Sequence, residues 1–210
     1  VKVSNHKKQT PLIIAVKADA DLEILQLLLK EGAQINKKDS NGKTSLRYAL
    51  EEELAYKSIR FLLESGADVN ATANDGLTAL AYAVKENRIE VIRELLEFGA
   101  DLNKSTYQGI TPLMLAVKQR EDVAIISLLL QHGADVNSVE YRGATPLMYA
   151  VKYNDNPDLI SVLLNHGADP TMRDSRGKRV VDYLEENKEL KGTDVYWKIN
   201  YMEPDKMKKE

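Results

Sequence analysis

The chain has 210 residues, of which 43% are hydrophobic and 29% are charged, a balance that predicts a soluble protein with a buried core. Its formal net charge of −3 argues against a general nucleic-acid binder, because phosphate recognition usually brings an excess of Lys and Arg. It has no cysteine, which excludes disulfides, cysteine-ligated zinc and thiol catalysis, and no run of about 18 apolar residues that would predict a transmembrane helix.

Residues 1–9 differ from the rest of the chain, because they lack the glycine that comes shortly before each later threonine, and we interpret them as an N-terminal cap. From there on a threonine and a Gly-Ala pair alternate, each returning after 33 or 34 residues. The threonines are Thr10, Thr44, Thr78, Thr111 and Thr145, and the glycines are Gly32, Gly66, Gly99, Gly133 and Gly167. A period of this size predicts a stacked array of helical units.

The segment after Thr111 predicts a short first helix in each unit, which we call the inner helix. The Thr111 hydroxyl is suited to capping a helix, and Pro112 suits the first helical position, where no backbone N–H is needed. Leu113 and Ala116 are three residues apart and share one face, and the small alanine lets a neighbouring unit approach closely.

A second helix, the outer helix, follows in each unit. Ile126, Leu129 and Leu130 recur at the spacing of an apolar helical stripe that must be buried. Gly133 is expected to end this helix in the left-handed conformation that glycine adopts without steric cost. Residues 134–143 then lead to the next threonine.

The units predicted in chain order are approximately 5–38, 39–72, 73–105, 106–139 and 140–173, followed by a terminal cap repeat at 174–192. The last unit departs from the pattern, because Arg179 stands where threonine is expected. Residues 193–210 form a C-terminal extension that we expect to be partly packed on the last repeat, with a loose tail at 203–210. The alternative is that this extension binds a partner.

The pattern Gly-x-Thr-Pro-Leu-x-x-Ala, then a Leu-Leu pair, then Gly-Ala-Asp-Val-Asn resembles the ankyrin repeat over about residues 9–190. The resemblance implies an all-α solenoid of helix-turn-helix repeats with β-hairpin-like loops, forming a single domain over 1–190. It also implies that a protein partner binds the hairpin tips and the concave face of the inner helices.

Signals of catalysis, metal binding or cofactor binding are weak. Gly42-Lys43-Thr44 matches the end of a phosphate-binding loop, but Lys37 stands where that motif needs a glycine. His132 and His166 come near the ends of outer helices, where a structural role is favoured over a metal site. The acidic residues that follow the Gly-Ala pairs are interpreted as hydrogen-bonding residues of the loops. They are Asp68, Asp101, Asp135 and Asp169.

The inner helices carry a periodic set of tyrosine, lysine and apolar residues four, seven and eight positions after each threonine. Helical spacing predicts that these residues share an exposed face opposite the buried one. Members assigned to partner binding are Tyr48, Tyr82, Lys85, Leu115, Lys118, Tyr149, Lys152 and Tyr153. The alternative for the lysines is that they only interact with the C-terminal end of the helix dipole. Tyrosine is enriched in interface hot spots, which favours binding.

A second set of candidate partner-binding residues lies in the loops before the threonines, where apolar and aromatic side chains are expected to be exposed. They are Leu77, Tyr107, Ile110, Tyr141 and Arg142.

We therefore predict a monomeric, non-catalytic protein-binding module with no cofactor, no metal, no nucleic acid and no membrane insertion. Two alternatives stay open, an inhibitory or structural subunit of a neighbouring enzyme, and a small ligand-binding or enzymatic domain. A cytoplasmic location is favoured. A periplasmic or secreted one stays open, because the sequence starts at Val1 without Met and its N-terminus is interpreted as processed or truncated.

Overall fold

The computed structural model describes residues 3–52, 56–119 and 123–202, and this part of the chain forms twelve α-helices and no strand. The helices are α1 (Pro11–Lys17), α2 (Leu22–Lys30), α3 (Ser45–Glu51), α4 (Tyr56–Glu64), α5 (Ala79–Lys85), α6 (Ile89–Glu97), α7 (Pro112–Lys118), α8 (Val123–Gln131), α9 (Pro146–Tyr153), α10 (Pro157–Asn165), α11 (Val180–Glu186) and α12 (Asp194–Tyr201). No helix in the described residues is long and apolar enough to cross a membrane.

The chain divides into two compact units, Val1–Thr106 and Tyr107–Glu210. In the first unit the inner helices α1, α3 and α5 pack side by side, and each contacts the outer helix that follows it. In the second unit α7, α9 and α11 are the inner helices, and α8, α10 and α12 form a second layer behind them. Each unit therefore holds three helix pairs.

The predicted threonine caps are present at the start of five inner helices. The Thr111 hydroxyl accepts a hydrogen bond from the Met114 backbone N–H, with an extended backbone at the threonine itself. The other four threonines accept the equivalent bond from the residue three positions later. Satisfying an N–H that has no partner within the helix fixes where each inner helix begins.

The predicted core faces and outer-helix ends are confirmed. Leu113 and Ala116 are fully buried on α7, and Ile126 and Leu129 are fully buried on α8. Gly133 ends the outer helix with φ at +94°, the left-handed conformation that a helix C-terminus commonly requires. The core is therefore a row of small clusters between neighbouring helix pairs, as expected for a repeat fold.

The loops before the inner helices have hairpin form, held by backbone hydrogen bonds. In the loop before α9, Glu140 N–H donates to Ala144 O at 3.2 Å and Gly143 N–H donates to Glu140 O at 2.7 Å. Successive loops also bond to each other, because Ser175 N–H donates to Arg142 O at 2.7 Å. The main chain of one loop thus positions the next.

Asparagine side chains join the segments after successive outer helices. Asn137 Nδ2 donates to Gly167 O at 2.9 Å, and Asn137 Oδ1 accepts from Asp169 N–H at 2.8 Å. Within its own segment, Asp135 Oδ1 accepts from Asn137 N–H at 2.9 Å. Asp68, Asp101 and Asp169 make the same kind of local bond, which confirms that these acids are hydrogen-bonding residues of the loops.

The C-terminal extension contributes the second helix of a sixth pair. Helix α12 packs on both α10 and α11, and it buries Val195, Tyr196 and Ile199. The second helix of the sixth pair, α12, thus ends at Tyr201. It lies in the region that was predicted to be a C-terminal extension packed on the cap repeat. Trp197 remains about half exposed. The tail predicted at 203–210 lies outside the described residues.

Candidate partner-binding surface

The first unit contains one clear departure from the predicted surface, at Tyr48. Its side chain is 5% exposed, and its hydroxyl donates to Asp39 Oδ2 at 2.7 Å and accepts from Gln9 Nε2 at 3.2 Å. Burial, followed by the hydrogen bond to Asp39, raises the pKa of Tyr48. The predicted exposure of Tyr48 is wrong, because the ring folds back onto the loop of its own repeat.

Tyr82 and Lys85, the other inner-helix candidates of this unit, are already engaged by neighbouring side chains. Tyr82 is half-buried, with the Arg47 guanidinium 4.1 Å from its ring centroid. Arg47 in turn contacts Asp75 at 2.6 Å and Glu51 at 3.0 Å. Lys85 Nζ lies 2.8 Å from Glu86. Arg47 and Lys85 therefore already have carboxylate partners.

The loop candidates differ in exposure. Tyr107 and Tyr141 are 66% and 77% exposed at the loop tips, as predicted. Ile110 is buried, so its predicted exposure is wrong, and Leu77 is half-buried. Both of these residues directly precede a capping threonine, which places them at the base of the loop rather than at its tip.

In the second unit the remaining inner-helix candidates lie on α7 and α9. Leu115 is half-buried and Lys118 is exposed on α7. On α9, Tyr149 is half-buried, whereas Lys152 and Tyr153 are exposed.

Four of the predicted residues, Arg142, Tyr149, Lys152 and Tyr153, line one pocket of about 290 Å³ in the second unit, which we call the α9–α11 pocket. The other lining residues are Glu140, Ala144, Met148, Asp174, Arg176 and Tyr183. Helix α9 and the loop before it supply one wall, and α11 and its loop supply the other.

The sequence analysis did not assign Glu140, Asp174, Arg176 or Tyr183 to partner binding. A signal for Tyr183 exists, since it stands four residues after Arg179, as Tyr149 stands four residues after Thr145. The loss of threonine at position 179 hid this equivalence.

Aromatic rings and cations alternate along the pocket wall. The rings of Tyr149 and Tyr153 are 5.5 Å apart between centroids. Lys152 Nζ lies 4.8 Å from the Tyr153 centroid and 5.7 Å from the Tyr183 centroid. These distances fit cation–π attraction, which holds the ammonium group of Lys152 over the rings.

Asp174 is buried in the pocket wall and heavily hydrogen-bonded. It accepts from the Tyr183 hydroxyl at 2.6 Å, from the Arg176 guanidinium at 3.1 Å, and from the backbone N–H groups of Lys178 and Arg176 at 2.9 Å. Burial alone would raise its pKa, but these donors outweigh burial and lower the pKa of Asp174 to about 2. The negative charge of Asp174 is therefore compensated by hydrogen-bond donors within the pocket wall.

The hydroxyls of Tyr149 and Tyr183 stay neutral near neutral pH. Burial, and then the hydrogen bond to Asp174, raises the pKa of Tyr183. Burial, and then the charge of Glu140, raises the pKa of Tyr149. The neutral Tyr149 hydroxyl can donate to a bound group, whereas the proton of the Tyr183 hydroxyl is already donated to Asp174.

Two cations of the pocket form no ion pair with the acidic residues that the structure describes. Within the described part of the chain, neither Arg142 nor Lys152 lies within ion-pair distance of an Asp or Glu side chain. Arg176 and Lys178, by contrast, pair with Asp174 and Glu186. Over the same described residues, no group of three or more His, Asp or Glu side chains is arranged to hold a metal ion.

Comparisons with known proteins agree with a repeat fold of paired helices. A family model described as "Ankyrin repeats (3 copies)" matches residues 1–73, 71–140 and 104–174. Among solved structures, the ankyrin repeat domain of Bcl-3, described as a unique member of the IkappaB protein family, is 28% identical. That match has a TM-score of 0.77 and covers 88% of this chain and 83% of that chain. No curated protein matches the sequence. The predicted resemblance and the all-α repeat fold are confirmed.

Proposed function

Because the chain belongs to the ankyrin repeat family, we propose that it is a non-catalytic module that binds a protein partner through its second unit. Domains of this family generally mediate protein–protein interactions. The observation that carries the proposal is the α9–α11 pocket, in which Tyr149 and Tyr153 lie beside Arg142 and Lys152, two cations that form no ion pair among the described residues. Aromatic side chains in a concave surface are typical interface anchors.

The loop tips extend the proposed contact surface. Tyr141 N–H donates to Gln108 O at 3.2 Å, so the tips that carry Tyr107 and Tyr141 are held next to each other. Both rings are mostly exposed. Exposed aromatic rings on two neighbouring loop tips are typical of an interaction surface, which supports a role in contacting a partner.

The proposal is tested by affinity capture from the source cell with matched baits. The site bait carries Tyr149→Ala and Tyr153→Ala. The control bait carries Tyr56→Ala, which removes a 46% exposed ring on α4 of the first unit. We expect a stoichiometric protein to be retained by the wild-type and control baits and lost from the site bait.

Other outcomes separate the alternatives. Equal retention of the partner by all three baits would place the interface outside the α9–α11 pocket and contradict the proposal. If the captured partner is an enzyme that the chain inhibits, the module acts as an inhibitory subunit. A small molecule that co-purifies with the wild-type chain and no protein would favour the ligand-binding alternative.

We also propose that the chain is a monomer that does not bind nucleic acid. The formal net charge of −3 supports the second part, because non-specific nucleic-acid binding relies on a basic surface. Sedimentation velocity with and without duplex DNA tests both parts. A dimer mass, or co-sedimentation with DNA at physiological salt, would contradict them.

A further inference from the structure

We infer that the α9–α11 pocket accepts one acidic side chain, Asp or Glu, from an extended segment of the partner. The inference rests on the proposed function and specifies the chemistry that the pocket recognises. It predicts a partner segment with a single carboxylate anchor rather than a long acidic run.

The charges of the pocket favour one negative group. Three cations and two carboxylates line it, which leaves a net charge of +1. Arg176 is paired with Asp174, which leaves Arg142, Lys152 and the mostly buried Glu140 as the other charged residues of the lining. Glu140 is itself held by the Ala144 N–H at 3.1 Å. A single carboxylate balances the net charge, whereas a dianionic phosphate would exceed it.

The two available cations suit a carboxylate. Lys152 is held over the rings of Tyr153 and Tyr183 instead of pairing with an acid. The Arg142 side chain is exposed, while its carbonyl is fixed by the Ser175 N–H at 2.7 Å. An arginine guanidinium can bind a carboxylate through two parallel hydrogen bonds, and a lysine adds a point charge. The main chain of Arg142 is therefore held in place, while its guanidinium group can change position to meet a carboxylate.

The walls of the pocket suit the side chain of a glutamate. Its volume of about 290 Å³ has room for one such side chain. Ala144, Met148 and the tyrosine rings offer apolar surface beside the cations. This combination can hold the methylene groups of Glu and present its carboxylate to Arg142 and Lys152.

The test uses two capped peptides, acetyl-Ala-Ala-Glu-Ala-Ala-amide and the same peptide with Gln at the centre, titrated into the ¹⁵N-labelled full chain. We expect the Glu peptide to shift the amide signals of Arg142, Tyr149, Lys152 and Tyr153 in a saturable way. The Gln peptide should bind at least threefold more weakly. Equal binding of both peptides would overturn the inference.

Variants assign the effect to the two cations. Arg142→Gln with Lys152→Gln should remove the preference for Glu over Gln. Lys30→Gln, at the exposed end of α2 in the first unit, should leave it unchanged. A preference that survives in the double variant would overturn the assignment. The spectrum of each free variant reports whether the fold is kept.

A third peptide with phosphoserine at the centre separates carboxylate from phosphate recognition. Binding about tenfold tighter than the Glu peptide would overturn the carboxylate assignment in favour of a phosphopeptide. Failure of the peptide test leaves the capture experiment intact, because that experiment depends on the tyrosines and not on the charge of the partner. If only the tyrosine variant loses the partner, this result supports the proposed function. The preference for a carboxylate is then judged from the peptide titrations.

Discussion

The Tyr183 hydroxyl donates a hydrogen bond of 2.6 Å to Asp174, which lies nine residues earlier in the chain. Tyr48 makes the equivalent bond of 2.7 Å to Asp39, also nine residues earlier. In both repeats a tyrosine of the inner helix is thus tied to the loop that precedes it. This hydrogen bond therefore holds the loop and the inner helix of the same repeat together.

The first prediction concerns the pH dependence of stability at Asp174. Its pKa of about 2 in the folded chain is below the ordinary value of 3.8. A lowered folded pKa stabilises the fold above pH 3.8, and this stabilisation is lost as the pH falls towards 2. We expect Asp174→Asn to cost on the order of 1 to 2 kcal/mol at pH 6, after allowance for solvent screening, and much less near pH 2.5.

Urea unfolding of the wild type and of Asp174→Asn between pH 6 and 2.5 measures this difference. Asp19→Asn, at an exposed turn, is the matched control for the loss of one surface carboxylate. A constant difference between the wild type and Asp174→Asn over the whole pH range would contradict the prediction.

The second prediction concerns Gly99, where the backbone has φ at +79°. A Cβ atom built there meets no other heavy atom within 4 Å, so the cost of a side chain comes from the backbone conformation alone. Gly99→Val should destabilise the chain by on the order of 1 to 2 kcal/mol, and Gly99→Asn by less, since asparagine tolerates the left-handed region. Denaturant unfolding and hydrogen exchange near residue 99 test this. Equal losses for Val and Asn would refute it.

The third prediction concerns helix α12. Ile199 is fully buried, so Ile199→Ala should cost about 2 to 4 kcal/mol through lost burial and a residual cavity. Tyr201→Ala, at a side chain that is 70% exposed on the same helix, should change stability by less than about 0.5 kcal/mol.

Ending the chain at Gly192 should cost a few kcal/mol, because it removes three buried apolar side chains. An unchanged denaturation midpoint after this truncation would show that α12 does not stabilise the fold.

The fourth prediction separates charge from ring contacts in partner binding. Lys118→Glu and Lys152→Glu should each slow association several-fold at low salt, and the effect should weaken as salt rises. Lys85→Glu should have a smaller effect, because Lys85 is already paired with Glu86 at 2.8 Å. The double variant with Tyr107→Ala and Tyr149→Ala should cost more than about 2 kcal/mol, mainly through faster dissociation.

Surface plasmon resonance with the captured partner measures both rates. Circular dichroism of each variant checks that its fold is kept. Wild-type rates for the lysine and tyrosine variants alike would place the interface elsewhere on the chain.

Features that depend on nearby residues were predictable from the sequence. The threonine caps, the glycine at each outer-helix end and the buried stripe of Ile126 and Leu129 depend on positions within one helical turn or one helix face. The sequence therefore predicted the fold and the register of the repeats.

Features that depend on contacts between elements were not predictable in the same way. Helical spacing placed Tyr48 on an open face, but its exposure depends on Asp39 in the preceding loop. Ile110 was assigned to a loop tip because spacing along the chain does not separate the base of a hairpin from its tip. The wall formed by Arg176 and Tyr183 was missed because the repeat pattern weakens at Arg179.

The bond from Ser175 N–H to the Arg142 carbonyl separates two tasks of one residue. The main chain of Arg142 holds the next loop, and its side chain points to solvent without a fixed partner among the described residues. Exchange of that side chain therefore leaves the hydrogen bond between the loops in place. Partner preference can be altered at this position by substitution, with little penalty to the scaffold that presents it.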